Sequence, residues 1–285
     1  MTTRVQYPYE GQGVALLTRH GKEALLREPL ETALGCHLVH TDAHDTDELG
    51  TFTGEVARPG SQREAARAKA RIGMTLTGAR VGLASEGAFG PDPFAGVVPW
   101  NTELLLWIDD ERGIEVAGLA DGPAQNAHGV VTTAEQLHEF AHEARFPQHH
   151  LVLRPDHERH PEIHKGINDP RELASLFEAV RNRAATGGVF VQNDLRAFCN
   201  PTRQAIIRKA ALDLAQKLLS PCPACATPGY ARVRHIPGLP CRVCGARTRL
   251  PVAEVWACLS CTHEERRDVR AGQQADPGRC GFCNP

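Results

Sequence analysis

The final quarter of this chain carries four Cys-x-x-Cys pairs, and they constrain its folding more than any other feature. A two-residue gap lets one tight turn, a knuckle, direct two sulfurs at one metal ion, and two knuckles complete a tetrahedral site. We therefore predict two structural zinc ions, and full coordination by sulfur leaves neither ion an open position for catalysis. The predicted ligands are Cys222, Cys225, Cys241, Cys244, Cys258, Cys261, Cys280 and Cys283.

Two other uses of paired cysteines are disfavoured. Disulfides need an oxidising compartment, but residues 1–12 are polar and do not resemble a secretion signal. Iron–sulfur clusters are disfavoured because regular pairs with hairpin-length spacers are typical of zinc. No apolar run reaches the length of a membrane span, so we expect a cytoplasmic protein without a membrane partner.

The cysteine spacing leaves two pairings of the knuckles open. Sequential pairing joins the first knuckle to the second and the third to the fourth. Nested pairing joins the second to the third and the first to the fourth. Residues 241–261 resemble a self-contained ribbon, with Gly245 suited to a positive-φ turn and Val252, Val255 and Trp256 suited to strands. This pattern favours nested pairing.

The charge of the cysteine-rich region bears on its partners. From residue 216 onward the chain has ten Lys or Arg and five Asp or Glu, whereas the whole chain has 32 and 34. A basic surplus is typical of nucleic-acid binding, but eight thiolates and two zinc ions would bring this region close to neutrality. Aromatic residues make up only 5% of the chain, which weakens the case for a base-stacking surface.

Before residue 220, short apolar runs alternate with helical patterns. This alternation predicts an α/β domain over residues 1–219 with a mixed, largely parallel sheet flanked by helices, followed by a zinc-ribbon-like module over residues 220–285. Strands are predicted at residues 14–18, 36–39, 80–85, 101–109, 113–119, 150–153 and 189–191. Helices are predicted at residues 24–34, 61–71, 132–144, 170–185 and 201–219.

Four polar segments follow predicted strands, at residues 18–22, 45–55, 85–90 and 193–203. Because ligands of open α/β sheets bind at the carboxyl ends of the strands, we expect these segments to converge. Their acids could hold Mg²⁺ and their cations could bind phosphate oxygens. The candidate catalytic residues are Glu86, Asp45 and Asp47, and the candidate phosphate-binding residues are Lys22, Lys69, Arg196 and Arg203.

Several stretches carry a resemblance to an uncharacterised family of bacterial proteins that end in four knuckles. Among them are LLTRHGKE, DTDELGTFTGE, GLASEGAFGP, DLRAFCNPTR and CGFCNP. The resemblance covers the whole length and implies no mechanism.

Residues 13–120 also resemble, more weakly, the inosine/xanthosine triphosphate pyrophosphatases. The first strand ends in a turn with Lys22, the helix pattern EAARAKA matches the family's E-N-A-x-x-K-A except at Ala65, and a later strand runs into Ser85 and Glu86. The resemblance implies that Lys22 and Lys69 bind phosphates and that Glu86 lies near Mg²⁺ or the attacking water.

These observations favour a metal-dependent hydrolase of a phosphorylated small molecule, in the first place a nucleotide. The alternative is a nucleic-acid-binding or processing protein whose zinc module presents basic side chains to the backbone. Those side chains would be Arg232, Arg234, Arg247 and Arg249. A third hypothesis, a non-catalytic scaffold, predicts that the polar segments do not converge.

Overall fold

The computed structural model describes residues 7–46, 60–268, 270 and 272–285, which form five α-helices, two short 3-10 helices and twelve strands. The helices are α1 (Glu23–Leu34), α2 (Gln62–Thr77), α3 (Ala134–Glu143), α4 (Pro170–Arg181) and α5 (Pro201–Leu218). The strands are β1 (Gly13–Leu17), β2 (His37–Thr41), β3 (Val81–Pro91), β4 (Pro99–Asp109), β5 (Ile114–Pro123), β6 (His128–Val131), β7 (Leu151–Pro155), β8 (His164–Ile167), β9 (Val189–Asn193), β10 (Ala231–Pro237), β11 (Pro251–Ala257) and β12 (Glu264–Asp268).

The helices begin and end at residues whose chemistry favours those positions. Ser61 accepts from the Glu64 backbone N–H and donates its own N–H to the Glu64 carboxylate at 2.7 Å, which completes the predicted capping box of α2. Asn200 caps α5 by accepting from the Arg203 N–H, and Pro201 occupies the first helical position. Gly35 ends α1 with a φ of 72°, a conformation that glycine adopts without strain.

The first sheet has five strands in the order β2-β1-β3-β4-β5. Strand β1 pairs in parallel with β2 and β3, whereas β3, β4 and β5 form an antiparallel meander. Helices α1 and α5 cover one face, where Leu16 and Trp107 are buried. Helix α2 covers the other face, where Ala15 and Leu106 lie against Ala70. Side chains that alternate along each strand therefore reach opposite layers.

Between β5 and α5 the chain builds a second sheet in the order β6-β9-β7-β8, with every neighbouring pair antiparallel. Helices α3 and α4 pack on one face, where Leu137 and Phe177 contact Leu153 and Val191. The last sheet is an antiparallel meander, β10-β11-β12, within the cysteine-rich region.

The predicted mixed α/β class is confirmed, but the expectation of a largely parallel sheet is wrong. The alternation of strands and helices suggested parallel neighbours. In the second sheet, however, the strands that a helix connects, β6 with β7 and β8 with β9, are not neighbours. One antiparallel strand lies between the two members of each pair. In the first sheet, the tight turn after Asp109 makes β5 an antiparallel partner of β4.

Candidate functional site

A cluster of buried charged side chains, called the crevice below, lies at the carboxyl end of β1, where the first sheet changes direction of winding. The chain leaves β1 through α1 on one face and returns to β3 through α2 on the other face. This is the topological switch point at which open α/β sheets bind ligands. The last paired residues are Leu16 and Leu83, so Ser85 and Glu86 on β3 extend beyond the end of β1.

Lys22 stands at the start of α1 and reaches into this crevice. Its Nζ donates to the Ser85 carbonyl oxygen at 2.7 Å and lies 3.2 Å from Ser85 Oγ. The residue is only 6% exposed. Burial, and after it the neighbouring Arg203, lower the pKa of Lys22 to about 7 against the opposing effects of Glu103 and Glu86.

A second cation enters the crevice from α2. Lys69 forms an ion pair with Glu86, and both side chains are largely buried. Gln62 lies seven residues earlier, on the same side of the helix. Its Nε2 donates to the Glu86 carbonyl at 2.7 Å and to the Thr102 carbonyl at 3.0 Å, so it ties α2 to both β3 and β4.

A third cation, Arg203, comes from the first turn of α5. Its Nε donates to Glu103 Oε1 at 2.7 Å, and its Nη1 donates to the Leu195 carbonyl at 2.5 Å. Asn101 Nδ2 also donates to Glu103 Oε1, at 3.1 Å. A Cβ on Gly87 would lie 2.4 Å from Glu103 Oε1 and 2.6 Å from Arg203 Nη2. The pair therefore occupies the space that a side chain at Gly87 would need.

The charges of the crevice are unevenly matched. Glu86 is engaged by Lys69 and Glu103 by Arg203. In the part of the chain that the structure describes, Lys22 hydrogen-bonds only to the neutral oxygens of Ser85. Among the described residues, the crevice thus contains three cations against two carboxylates, and the protonated form of Lys22 carries a surplus charge that favours an anionic ligand.

The structure brings four of the predicted residues together and gives Arg196 and Asp45 other ion-pair partners. Lys22, Lys69, Glu86 and Arg203 share the crevice. Arg196 instead pairs with Asp194 at 2.6 Å and lies over the Phe198 ring. Asp45 forms a half-exposed ion pair with Arg19 at 2.8 Å, and Asp47 falls outside the described residues.

Two residues of the crevice were not predicted from the sequence. Glu103 is a fully buried acid within the Leu-rich strand β4, and a charge inside such an apolar run was the signal that could have identified it. Gln62 gave no such signal, because glutamine is common in the first turn of a helix.

The eight cysteines of the knuckles form two clusters. Within each cluster, the sulfurs all lie within 4.8 Å of one another, so the clusters could hold two metal ions. Sulfurs from different knuckles are 3.6 to 3.9 Å apart. A tetrahedral site with metal–sulfur bonds of about 2.3 Å has edges of about 3.8 Å, so the spacing fits a four-sulfur site. The clusters are Cys222, Cys225, Cys258 and Cys261, and Cys241, Cys244, Cys280 and Cys283.

This pairing joins the first knuckle to the third and the second to the fourth, so both pairings considered from the sequence are wrong. The order of strands explains the interleaving. The first knuckle precedes β10, the second joins β10 to β11, the third joins β11 to β12, and the fourth follows β12. Successive turns of an antiparallel meander lie at alternate ends, which brings alternate knuckles together.

A family model described as "Domain of unknown function (DUF6671)" matches residues 69–285. The chain belongs to the DUF6671 family. This confirms the expected membership of an uncharacterised family. No curated protein and no solved structure matches the chain. The resemblance to the inosine/xanthosine triphosphate pyrophosphatases therefore stays a prediction.

The part of the DUF6671 chain matched by the family model includes both cysteine clusters and three of the crevice cations and acids, Glu86, Glu103 and Arg203, together with Lys69 at its first position. Lys22 lies before the matched segment. Among the described residues, no helix combines the length and apolar character needed to cross a membrane.

Proposed function

We propose that this DUF6671 protein is a cytoplasmic hydrolase that binds a phosphorylated small molecule, in the first place a nucleotide, in the crevice beyond β1. The observation that carries the proposal is the buried surplus of positive charge around Lys22, whose hydrogen bonds go only to Ser85 within the described residues. A phosphate group would supply the missing negative charge and accept hydrogen bonds from the ammonium group.

Glu86 and Lys69 form an ion pair that Mg²⁺ and a phosphate group would have to separate on binding. Apart from the two cysteine clusters, no described residues bring three possible ligands within 4.8 Å, so the crevice lacks a preassembled carboxylate cage. Mg²⁺ commonly enters such sites with the substrate, held by one or two carboxylates and by phosphate oxygens. Glu86 would take the ion and Lys69 the phosphate, and the bound metal would supply Lewis-acid stabilisation of the leaving group.

We assign zinc to the two cysteine clusters, where it would have a structural role. Four thiolates at tetrahedral spacing suit Zn²⁺, and a reducing cytoplasm would keep the thiols available for it. The metal would supply folding energy to a region with a small apolar core.

The nucleic-acid hypothesis has less support. Arg232 pairs with Glu254 at 2.8 Å and Arg234 with Glu264 at 2.5 Å, so two of its four arginines already have acidic partners. Arg247 and Arg249 are exposed.

The test measures binding of pyrophosphate with Mg²⁺ by calorimetry, and phosphate release from a mixed nucleotide pool. Lys69→Met should weaken binding about 10- to 100-fold, because it removes a charge-assisted hydrogen bond. Glu86→Gln should abolish the hydrolysis that Mg²⁺ stimulates. Lys209→Met, a change at an exposed position of α5, is the matched control and should alter neither. The assignment is wrong if both crevice variants behave like the wild type.

A further inference from the structure

Ser85 occupies a position in the crevice that the proposed roles leave unused. It precedes Glu86 on β3, so its side chain lies on the opposite face of the sheet, with Leu83 and Gly87. It is 3% exposed, and its Oγ lies 3.2 Å from Lys22 Nζ. A hydroxyl this close to a buried amine has the geometry of a nucleophile beside its general base.

The surroundings of Lys22 make its proton easy to remove, so the amine is a cation below about pH 7 and a neutral base above it. Among the described residues, the charged groups that face it are Arg203 from α5 and Lys69 from α2, together with Glu86 on β3 and Glu103 on β4. Both acids are engaged by the other two cations, and burial dominates, so the pKa of Lys22 falls to about 7. Above that pH the amine has a lone pair that can accept the Ser85 hydroxyl proton.

Arg203 lies on the same face, next to this hydroxyl along the strand. Gly87 is two residues beyond Ser85, and the absence of a side chain there lets the guanidinium lie against the strand. Its Nη1 and Nε are held by Leu195 and Glu103, which fixes the direction of the group. A fixed positive group beside a nucleophile can stabilise the charge that develops on an attacked phosphoryl group.

We propose that Ser85 is a covalent nucleophile and Lys22 its general base, a serine–lysine pair that acts on the phosphorylated substrate; this inference rests on the proposed function. Ser85 Oγ attacks phosphorus while its proton passes to Lys22 Nζ. The bond from phosphorus to the leaving oxygen breaks, and Lys22 returns the proton to that oxygen. Water then attacks the phosphoserine, its proton passes to Lys22, and the bond from phosphorus to Oγ breaks. The proton moves from Lys22 to Oγ, so substrate and water become an alcohol or acid and phosphate.

The first experiment treats the metal-loaded full chain with a fluorophosphonate probe, from which an activated serine displaces fluoride to form a stable adduct. Peptide mass spectrometry should locate the adduct on Ser85, with a rate that rises with pH around a midpoint near 7. Lys22→Arg, which keeps the charge but cannot act as a base, should slow labelling at least 100-fold. Ser175→Ala, at an exposed position of α4, should label like the wild type.

The wild-type result does not depend on any variant folding. An unmodified Ser85 peptide, an adduct confined to another serine, or undiminished labelling of Lys22→Arg would each overturn the inference.

A second measurement separates this inference from the proposed function. Ser85→Ala should bind pyrophosphate within about threefold of the wild type, because Lys69 and Arg203 remain, but should lose at least 100-fold in hydrolysis. Wild-type hydrolysis by Ser85→Ala would reject the nucleophile and leave the proposed function standing. A wild-type protein that labels at Ser85 but neither binds pyrophosphate nor releases phosphate would reject the proposed function and the phosphorylated substrate, and would leave only the reactivity of the serine–lysine pair standing.

Discussion

Arg203 and Glu103, 100 positions apart in the sequence, form an ion pair in which neither side chain is more than 1% exposed. The pair joins the start of α5 to β4, and Arg203 also holds the Leu195 carbonyl. Removing two charges from water is costly, and apolar replacements of such pairs are often as stable. The pair is therefore better explained by the guanidinium it fixes in the crevice than by the stability it contributes.

Loss of one member of this pair should be far more damaging than loss of both. Glu103→Leu leaves a buried guanidinium without its counter-charge, and we expect the free energy of unfolding to fall by about 3 to 5 kcal/mol. Adding Arg203→Met removes the stranded charge and should recover at least half of that loss. Urea unfolding of both single variants and the double variant measures the effect. Simple additivity of the two single losses would contradict this explanation.

Gly87 should be intolerant of even one methyl group. A Cβ there would lie within 2.6 Å of Arg203 Nη2 and closer still to Glu103 Oε1, and neither buried group can easily move aside. We expect Gly87→Ala to lower the free energy of unfolding by about 1 to 3 kcal/mol. Gly90 lies on the same strand, and a Cβ added there would meet no atom within 4 Å. Gly90→Ala is thus the matched control and should change stability by no more than about 0.5 kcal/mol.

Double cysteine substitutions can test the interleaved pairing by counting metal ions. Cys222→Ser with Cys258→Ser alters one cluster, so one ion per chain should remain. Cys222→Ser with Cys241→Ser alters both clusters, and no ion should remain at full occupancy. Elemental analysis of the purified variants gives the stoichiometry.

Sequential and nested pairing of the knuckles predict different numbers of bound metal ions in such double variants. Sequential pairing would leave one ion in the Cys222→Ser, Cys241→Ser variant. Nested pairing would leave one ion in the variant that carries Cys241→Ser and Cys258→Ser, whereas interleaving removes both. The interleaved assignment fails if either of these variants retains a stoichiometric ion.

Local patterns predicted much of this fold. The capping box at Ser61 and Glu64, the proline after Asn200 and the cysteine pairs act within a few residues, so the sequence displays them directly. The strands of the second sheet were partly missed, because β6 and β8 have only four residues each and lack a long apolar run. Which strands become neighbours in a sheet depends on connections that pass over one strand position. No pattern within a few residues reveals such a connection.

The residues of the crevice were likewise predicted only in part. Lys22, Glu86 and Arg203 lie in segments that follow predicted strands, so the expectation that strand ends converge brought them together, whereas Lys69 lies on a predicted helix. The partnership of Arg203 with Glu103 could not be predicted, because it joins α5 to a strand across the entire second sheet. Interleaved knuckles followed from the meander only once the order β10-β11-β12 was known.

Lys22 should make the free energy of unfolding rise with pH, whereas a lysine that gains an acidic partner on folding makes it fall. Its pKa is about 7 in the folded protein and near its ordinary value of 10.5 when unfolded. Between these values the unfolded chain binds the extra proton, so raising the pH favours folding, by up to about 1.4 kcal/mol for each pH unit. Lys22→Met removes this titration. Its advantage over the wild type in free energy of unfolding should therefore be greatest at pH 6 and decline as the pH approaches 10.

Chemical unfolding at a series of pH values measures this difference, with Lys209→Met as the control for removal of an exposed lysine. The control should track the wild type throughout, because Lys209 lies at an exposed position of α5. Lys22→Met loses the hydrogen bond to the Ser85 carbonyl, so its absolute stability includes a constant offset, whereas the slope reports only the proton. A difference independent of pH would mean that Lys22 stays protonated in the crevice, and it would remove the base that the serine–lysine pair requires.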